Sequence, residues 1–480
     1  MYYKEEDDSA KEISSKKQVK DFIESSIEGQ GYDEKLVRSL EQTFIHSIQS
    51  GNTDDLVIIS KTIVRIMSLH PNELCNTFIA DKFHEFLDEV FVQMVSEEDI
   101  PREITTVINI IASLIDISTI ISDYFIEREY SNDANVLMTR EETFLTSPCL
   151  QLFSTLLLRN AIKKDDNEWI EFMEQAEFIY LNGAPQSSYR YIALICKYIL
   201  NDLTIKKTPE LIDAMLSVML NLVYVIESYN TEEYVVLLNQ CAIKILSINM
   251  NIIKDTTFND FFNTLKEHFE CILRKGLIDK YEKAIYTFFK LIGYVSRDYS
   301  IAYCIHLINS LQFQVVNLII SNSSLETCSE FVHLLAFYLE TIESDTTMYK
   351  YLRHPRIIGF IISNLIRGTF KCIEAFLHYF YALTIRDPQE ILTDMIEADI
   401  FFETIEQIDA ADSQGVIWFL KGLINLLRSW NSTEKNVIVE IYFHEKYMNM
   451  FYDLTNDDSD EISELAQTVL SYFPQEGDVK

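Results

Sequence analysis

The chain has 480 residues, 48% of them apolar, with only 11 Gly and 8 Pro and a formal charge of -34 at pH 7. So few turn-forming residues argue against a fold of many short strands and for helices joined by short polar loops, an all-α protein. Contacting phosphates takes a basic face, so the charge argues against a nucleic-acid binder and against docking on an anionic membrane, and leaves a protein or peptide as the partner, a basic one included.

Residues 1–20 are charged and aperiodic and are expected to form a flexible polar tail without a secretory signal. Residues 21–74 hold amphipathic segments broken at Gly29, Gly31 and Gly51, then a helix capped by Asn52 or Thr53 that ends before Pro71. They read as N-terminal capping helices. The apolar run at 105–126 is interrupted by Asn109, Asp116 and Asp123, so no uninterrupted run reaches about 18 residues. The eight cysteines are scattered among apolar residues, as small core hydrophobes in a reducing compartment are, which points to the cytoplasm or the nucleus and away from secretion. The sequons at Asn322 and Asn431 are then chance matches.

From 75 to 475 a pattern recurs, followed by a flexible end at 476–480. A six-residue elbow appears as FIADKF (78–83), LTSPCL (145–150), LRKGLI (273–278), LRHPRI (352–357), IEADIF (396–401) and YFHEKY (442–447). Its fourth position holds Asp81, Pro148, Gly276, Pro355, Asp399 or Glu445, most of them residues able to stop one helix or cap the next. A short helix, an acidic loop and a longer helix follow most elbows. The acidic loops are SEEDIP (96–101), KKDDN (163–167), DAADSQG (409–415) and TNDDSDE (455–461).

The longer helices share one apolar template at i, i+3, i+4, i+7, i+8 and i+11, one face of a 3.6-residue period. It starts at Phe331, Ile373, Val416 and Ile462, spacings of 42, 43 and 46 residues, and also fits from Ile104 and Ile212. A period of this size is the mark of stacked helical repeats, eight to ten by length. Between about 118 and 310 the register blurs, with an acidic insertion near 127–143.

Elbow, short helix and long helix resemble the armadillo repeat, with HEAT repeats as close cousins. The likeness is clearest in IEADIF leading to VIWFLKGLINLL and in NDDSDEISELAQTVLSYF. It implies a right-handed α-solenoid with a concave groove, lined by the long helices, that binds peptides or proteins. Importin-alpha-like members carry Trp, three residues, then Asn on successive third helices to hold a basic peptide. Here the matching positions are Lys421 and Asn425, then Thr468 and Tyr472, so that ladder is not sustained. Lys421, Asn425 and Tyr472, with Trp418 and Trp430 beside the same apolar stripe, are the candidate partner-binding residues.

Carboxylates in the acidic loops precede long helices, where they cap free amides and meet the positive end of the helix dipole. None of these loops has the alternating DxDxDG pattern of a calcium site, no CxxC or HExxH marks zinc, and EGQGYD lacks the GK[ST] of a phosphate-binding loop. No cofactor, metal or catalytic residue is expected. The leading expectation is a non-catalytic scaffold, adaptor or regulatory subunit; a nuclear-transport adaptor reading basic peptides and an enzyme with a dispersed site are the alternatives.

Overall fold

A computed structural model describes residues 32–473, apart from 98, 139, 141, 160, 161, 163, 182–184, 227–230, 250, 253, 254, 343–345, 366, 367, 387–407, 409, 410 and 430–444. The expected tail at 1–20, the elbow at 396–401, Trp430, Asn431 and the end at 476–480 lie outside the described residues. Within them are 23 helices and no strand, in two compact units that divide after Leu222.

The first unit contains α1 (Glu34–Ser50), α2 (Thr53–Leu69), α3 (Pro71–Ala80), α4 (Phe83–Val95), α5 (Ile104–Ile117), α6 (Thr119–Glu127), α7 (Tyr130–Met138), α8 (Thr143–Leu158), α9 (Asp166–Leu181), α10 (Gln186–Asn201) and most of α11 (Pro209–Tyr224). The second contains α12 (Glu232–Ile248), α13 (Thr256–Arg274), α14 (Glu282–Asp298), α15 (Ala302–Ser310), α16 (Phe313–Asn322), α17 (Leu325–Thr341), α18 (Thr347–Leu352), α19 (Pro355–Leu365), α20 (Phe370–Thr384), α21 (Ser413–Ser429), α22 (Glu445–Leu454) and α23 (Asp460–Leu470).

Long helices pack side by side in each unit: α2, α5, α8 and α10 in the first, and α12, α14, α17, α20, α21 and α23 in the second. The apolar template is what they bury. Phe331, Leu334, Leu335, Tyr338 and Leu339 of α17 are at most 1% exposed, and Val416, Phe419, Leu420, Leu423, Ile424 and Leu427 of α21 at most 7%. Hydrogen bonds repeat the period, joining Glu177 to Ser217, Asn239 to Ala284 and His333 to His378 across 40 to 45 residues. Gly422 sits where a Cβ would come within 2.6 Å of the Phe380 ring, so its missing side chain lets α20 and α21 approach.

Local signals set most termini. Asn52 caps α2 through Asp55 N at 3.3 Å, and Asp165 and Glu168 cap reciprocally at 2.9 and 2.7 Å before α9. Asp412 accepts from Gly415 N at 2.8 Å. Asp165 and Asp412, each in one of the acidic loops, therefore act as helix caps. Gly276 has φ 66°, and after α13 the amides of Gly276 and Leu277 return to the carbonyls of Leu273 and Ile272, a Schellman closure.

Three elbow expectations need correction. LTSPCL lies inside α8, since buried Pro148 and its neighbours pack on adjacent helices and the helix continues through the proline. At FIADKF the left-handed residue is Lys82 (φ 56°), and Asp81 pairs with Arg38 at 3.0 Å instead of capping α4. Glu445 begins α22 and is not a helix stop. The supposed insertion near 127–143 folds as α7, tied down by Asp88 of α4, which is 3% exposed and accepts from the hydroxyls of Tyr124 at 2.8 Å and Tyr130 at 2.7 Å.

All eight cysteines are free thiols, and burial pushes those of Cys149, Cys196 and Cys328 up to about 12. Among the described residues no single helix is long and apolar enough to cross a membrane; the pair α15 and α16 passes that test only together and is bent by 99°.

Leu420 is fully buried between stacked helices and Asp458 is exposed. Leu420→Asp should cost roughly 3–5 kcal/mol by burying an unpaired charge, whereas Asp458→Ala should cost about 1 at most. Thermal unfolding of both variants checks this, and equal shifts would contradict the register.

Candidate functional site

Each long helix buries its template stripe and leaves another face free. In the second unit the free faces of α12, α14, α17, α20 and α21 enclose a groove of about 710 Å³. Its middle is a cluster of rings. The Trp418 ring stacks on His378 with centroids 4.1 Å apart and planes at 12°, Phe337 meets His378 edge-on at 4.8 Å, and His333 lies 5.3 Å from His378 and 5.8 Å from Trp418. Trp418, Phe337 and His333 are half-buried, so aromatic surface is open to a ligand.

Polar contacts hold the cluster. His333 Nδ1 and His378 Nδ1 are 3.0 Å apart, and His378 Nε2 is 2.7 Å from Glu340 Oε1. The His378 side chain is 1% exposed and Glu340 25%. Burial, and the neighbouring His378, push His333 down to about 3. On one side of the rings stand Lys290, Glu330, Lys371 and Glu374, with Lys290 Nζ 4.0 Å from Glu330 Oε1. Burial raises the carboxyls of both Glu330 and Glu374. Arg297, toward the other side, forks onto Asp298 at 3.0 and 3.1 Å.

Of the residues singled out from sequence, Trp418 lines this groove. Lys421 Nζ instead pairs with Glu461 Oε1 at 2.8 Å, tying α21 to α23. Asn425 Nδ2 reaches Thr384 Oγ1 at 3.4 Å, tying α21 to α20, and the Tyr472 hydroxyl accepts from Arg428 Nε at 3.3 Å. His333 and His378 escaped the sequence reading. Template starts at 331, 373 and 416 align His333 and Trp418 with Ala375, whereas the residue that meets both is His378, about one turn further along α20. A signal was present nonetheless, in that α17, α20 and α21 all carry an aromatic or imidazole ring outside the template.

Long helices stacked flank to flank at an armadillo-like period decide the fold class. The fold is an armadillo/HEAT-like α-solenoid. A solved engineered protein is similar over 92% of this chain and 99% of its own, at 13% identity and a TM-score of 0.58. Weaker similarity reaches importin beta (10% identity, 90% of this chain and 57% of that one, TM-score 0.39). It also reaches UNC-45 from Drosophila melanogaster (11% identity, 87% and 60%, TM-score 0.33). No family model matches the sequence, and no curated protein matches it.

With His333 held below the ordinary imidazole value near 6.5, the unfolded chain binds more protons than the folded one between about pH 3 and about 6.5. The stability linked to this imidazole is complete above that window and is lost as pH falls through it. His333→Phe should therefore shrink the fall in unfolding free energy between about pH 7 and about pH 5, by up to about 2 kcal/mol, in denaturant titrations. An unchanged pH dependence would contradict a neutral His333.

Proposed function

We propose that this protein is a non-catalytic scaffold or adaptor that binds an extended segment of a partner protein in the groove of its second unit. The observation that carries the reading is the set of half-exposed rings of Trp418, Phe337 and His333 around buried His378, walled by five long helices. Partly buried aromatic rings in a groove are the anchor type that dominates peptide recognition. Four helix-to-helix gaps of about 9 Å correspond to roughly ten extended residues.

The groove balances Lys290, Arg297 and Lys371 against Glu330, Glu340 and Glu374. An apolar or aromatic anchor therefore suits its centre better than a run of lysines. Outside it, 74 acidic residues against 40 basic ones favour basic flanks. Ser329, at the groove wall, donates to the Glu326 carbonyl at 2.8 Å, and the buried thiols are pushed away from ionisation, which supports a binding role over catalysis. Residence in a reducing compartment, cytoplasm or nucleus, belongs to the same proposal and is supported by the eight free thiols.

The test is selection of random peptides of about ten residues from a display library on the full chain at about pH 7.4, followed by affinity measurement. Selected peptides should carry an aromatic or large aliphatic residue between basic ones, and Trp418→Ala should weaken them at least about tenfold, or about 1.4 kcal/mol. Peptides that bind Trp418→Ala equally well would overturn the groove assignment. Selection of Lys/Arg runs without an apolar anchor would favour the nuclear-transport alternative instead.

A further inference from the structure

The hydrogen-bonded chain from Glu340 through His378 to His333 has two protonation levels to compare, neutral and singly protonated, and they present opposite polarity to the groove. A carboxylate only accepts, so in the contact of 2.7 Å the hydrogen belongs to His378 Nε2. The contact of 3.0 Å between the two Nδ1 atoms holds one hydrogen as well. When both imidazoles are neutral, His378 Nδ1 carries a lone pair and His333 Nδ1 donates to it. His333 Nε2 is then a bare acceptor, and among the described residues nothing hydrogen-bonds to it.

One proton from solvent reverses this. If it stays on His333, Nε2 becomes an N–H donor. If it passes along the chain, His378 becomes the imidazolium, donating Nε2–H to Glu340 and Nδ1–H to His333, and neutral His333 again holds its hydrogen on Nε2. Either route converts the free nitrogen from acceptor to donor. The Glu340 carboxylate lies on the His378 side of the pair, and the value near 3 for His333 keeps a second proton off it.

We propose that this chain sets the hydrogen-bond polarity of the groove floor, so that His333 Nε2 receives a peptide N–H from the ligand when the pair is neutral and offers its own N–H to a peptide carbonyl after uptake of one proton. The proposal rests on the reading of the groove as a peptide site and names what that site recognises. Lys290 and Arg297 of α14, Glu330 and Glu340 of α17, and Lys371 and Glu374 of α20 face the pair, while α21 contributes uncharged Gln414 and Trp418. Lys290 and Arg297, whose values are raised, keep their charge in this range. The two buried carboxyls with raised values can take up protons too, so the test must isolate the imidazoles.

Histidine-selective ¹⁵N labelling of the full chain, with long-range ¹H–¹⁵N spectra from about pH 8 to about pH 5, reads the tautomers directly. Resonances are assigned by their loss in His333→Phe. At the high end His333 should hold its hydrogen on Nδ1 with Nε2 bare. On acidification the hydrogen should appear on Nε2, with one proton gained by the pair. Glu340→Gln, which keeps an acceptor but removes the charge, should move this transition to lower pH, whereas Glu330→Gln and Glu374→Gln should leave the tautomer exchange in place. A His333 that holds its hydrogen on Nε2 throughout, or a pair that takes up two protons, overturns the proposal without any ligand. In the second arm, a display-selected peptide that needs Trp418 should change affinity at least about fivefold across the transition, and His333→Phe should abolish the change. Persistence of the change in His333→Phe would assign it to groups other than His333 and overturn the coupling. Failure of every peptide to depend on Trp418 would instead sink the groove reading, with the tautomer result standing by itself.

Discussion

An apolar stripe on a long helix of this chain is buried mainly against the flanks of the neighbouring long helices. Five residues of the template on α17 are at most 1% exposed, and α20 presents Leu377 and Phe380 to the following neighbour α21. No repeat closes its own core, so the helices stand in a row, and hydrogen bonds that join residues 40 or more positions apart fall naturally between adjacent members. Every other feature of the second unit depends on that row.

The groove is its by-product. A helix that buries one face on each neighbour and another on the short helices behind it has one face left, and five such faces side by side form a trough. What makes the trough specific is a departure from regularity: His378 is nearly fully buried, yet it bonds Glu340 and His333 and carries the Trp418 ring on its face. A buried imidazole costs stability unless its nitrogens are hydrogen-bonded, and both of these are. Burial, with His378 beside it, holds His333 neutral, so the packing that satisfies His378 also sets the proton state of its neighbour.

Much of the architecture was legible in the sequence because its cause is local. Apolar spacing of 3.6 residues marks single helices, Asn52 and Gly276 mark ends by their own backbone preferences, and Asp165 with Glu168 closes a box within four residues. Where the reading failed, a tertiary contact outweighed a local one. Pro148 stays within a helix whose neighbours bury it, and Asp81 turns to Arg38 instead of an amide. Lys421, Asn425 and Tyr472, singled out from their positions in a family pattern, each also have a partner on an adjoining segment of this chain, which spacing along the sequence does not show.

Composition and apolar spacing alone establish an all-α class, long helices that repeat every 42 to 46 residues at the carboxyl end, and a strongly acidic chain. Those properties belong to single helices or to sums over the chain. Which side chains converge depends instead on how whole helices pack. The lateral offset between neighbouring helices comes from how bulky residues interlock, as Phe380 does with the space left by Gly422. A shift of about one turn replaces Ala375 with His378 opposite Trp418 and turns a plain helix face into a ring cluster that responds to protons.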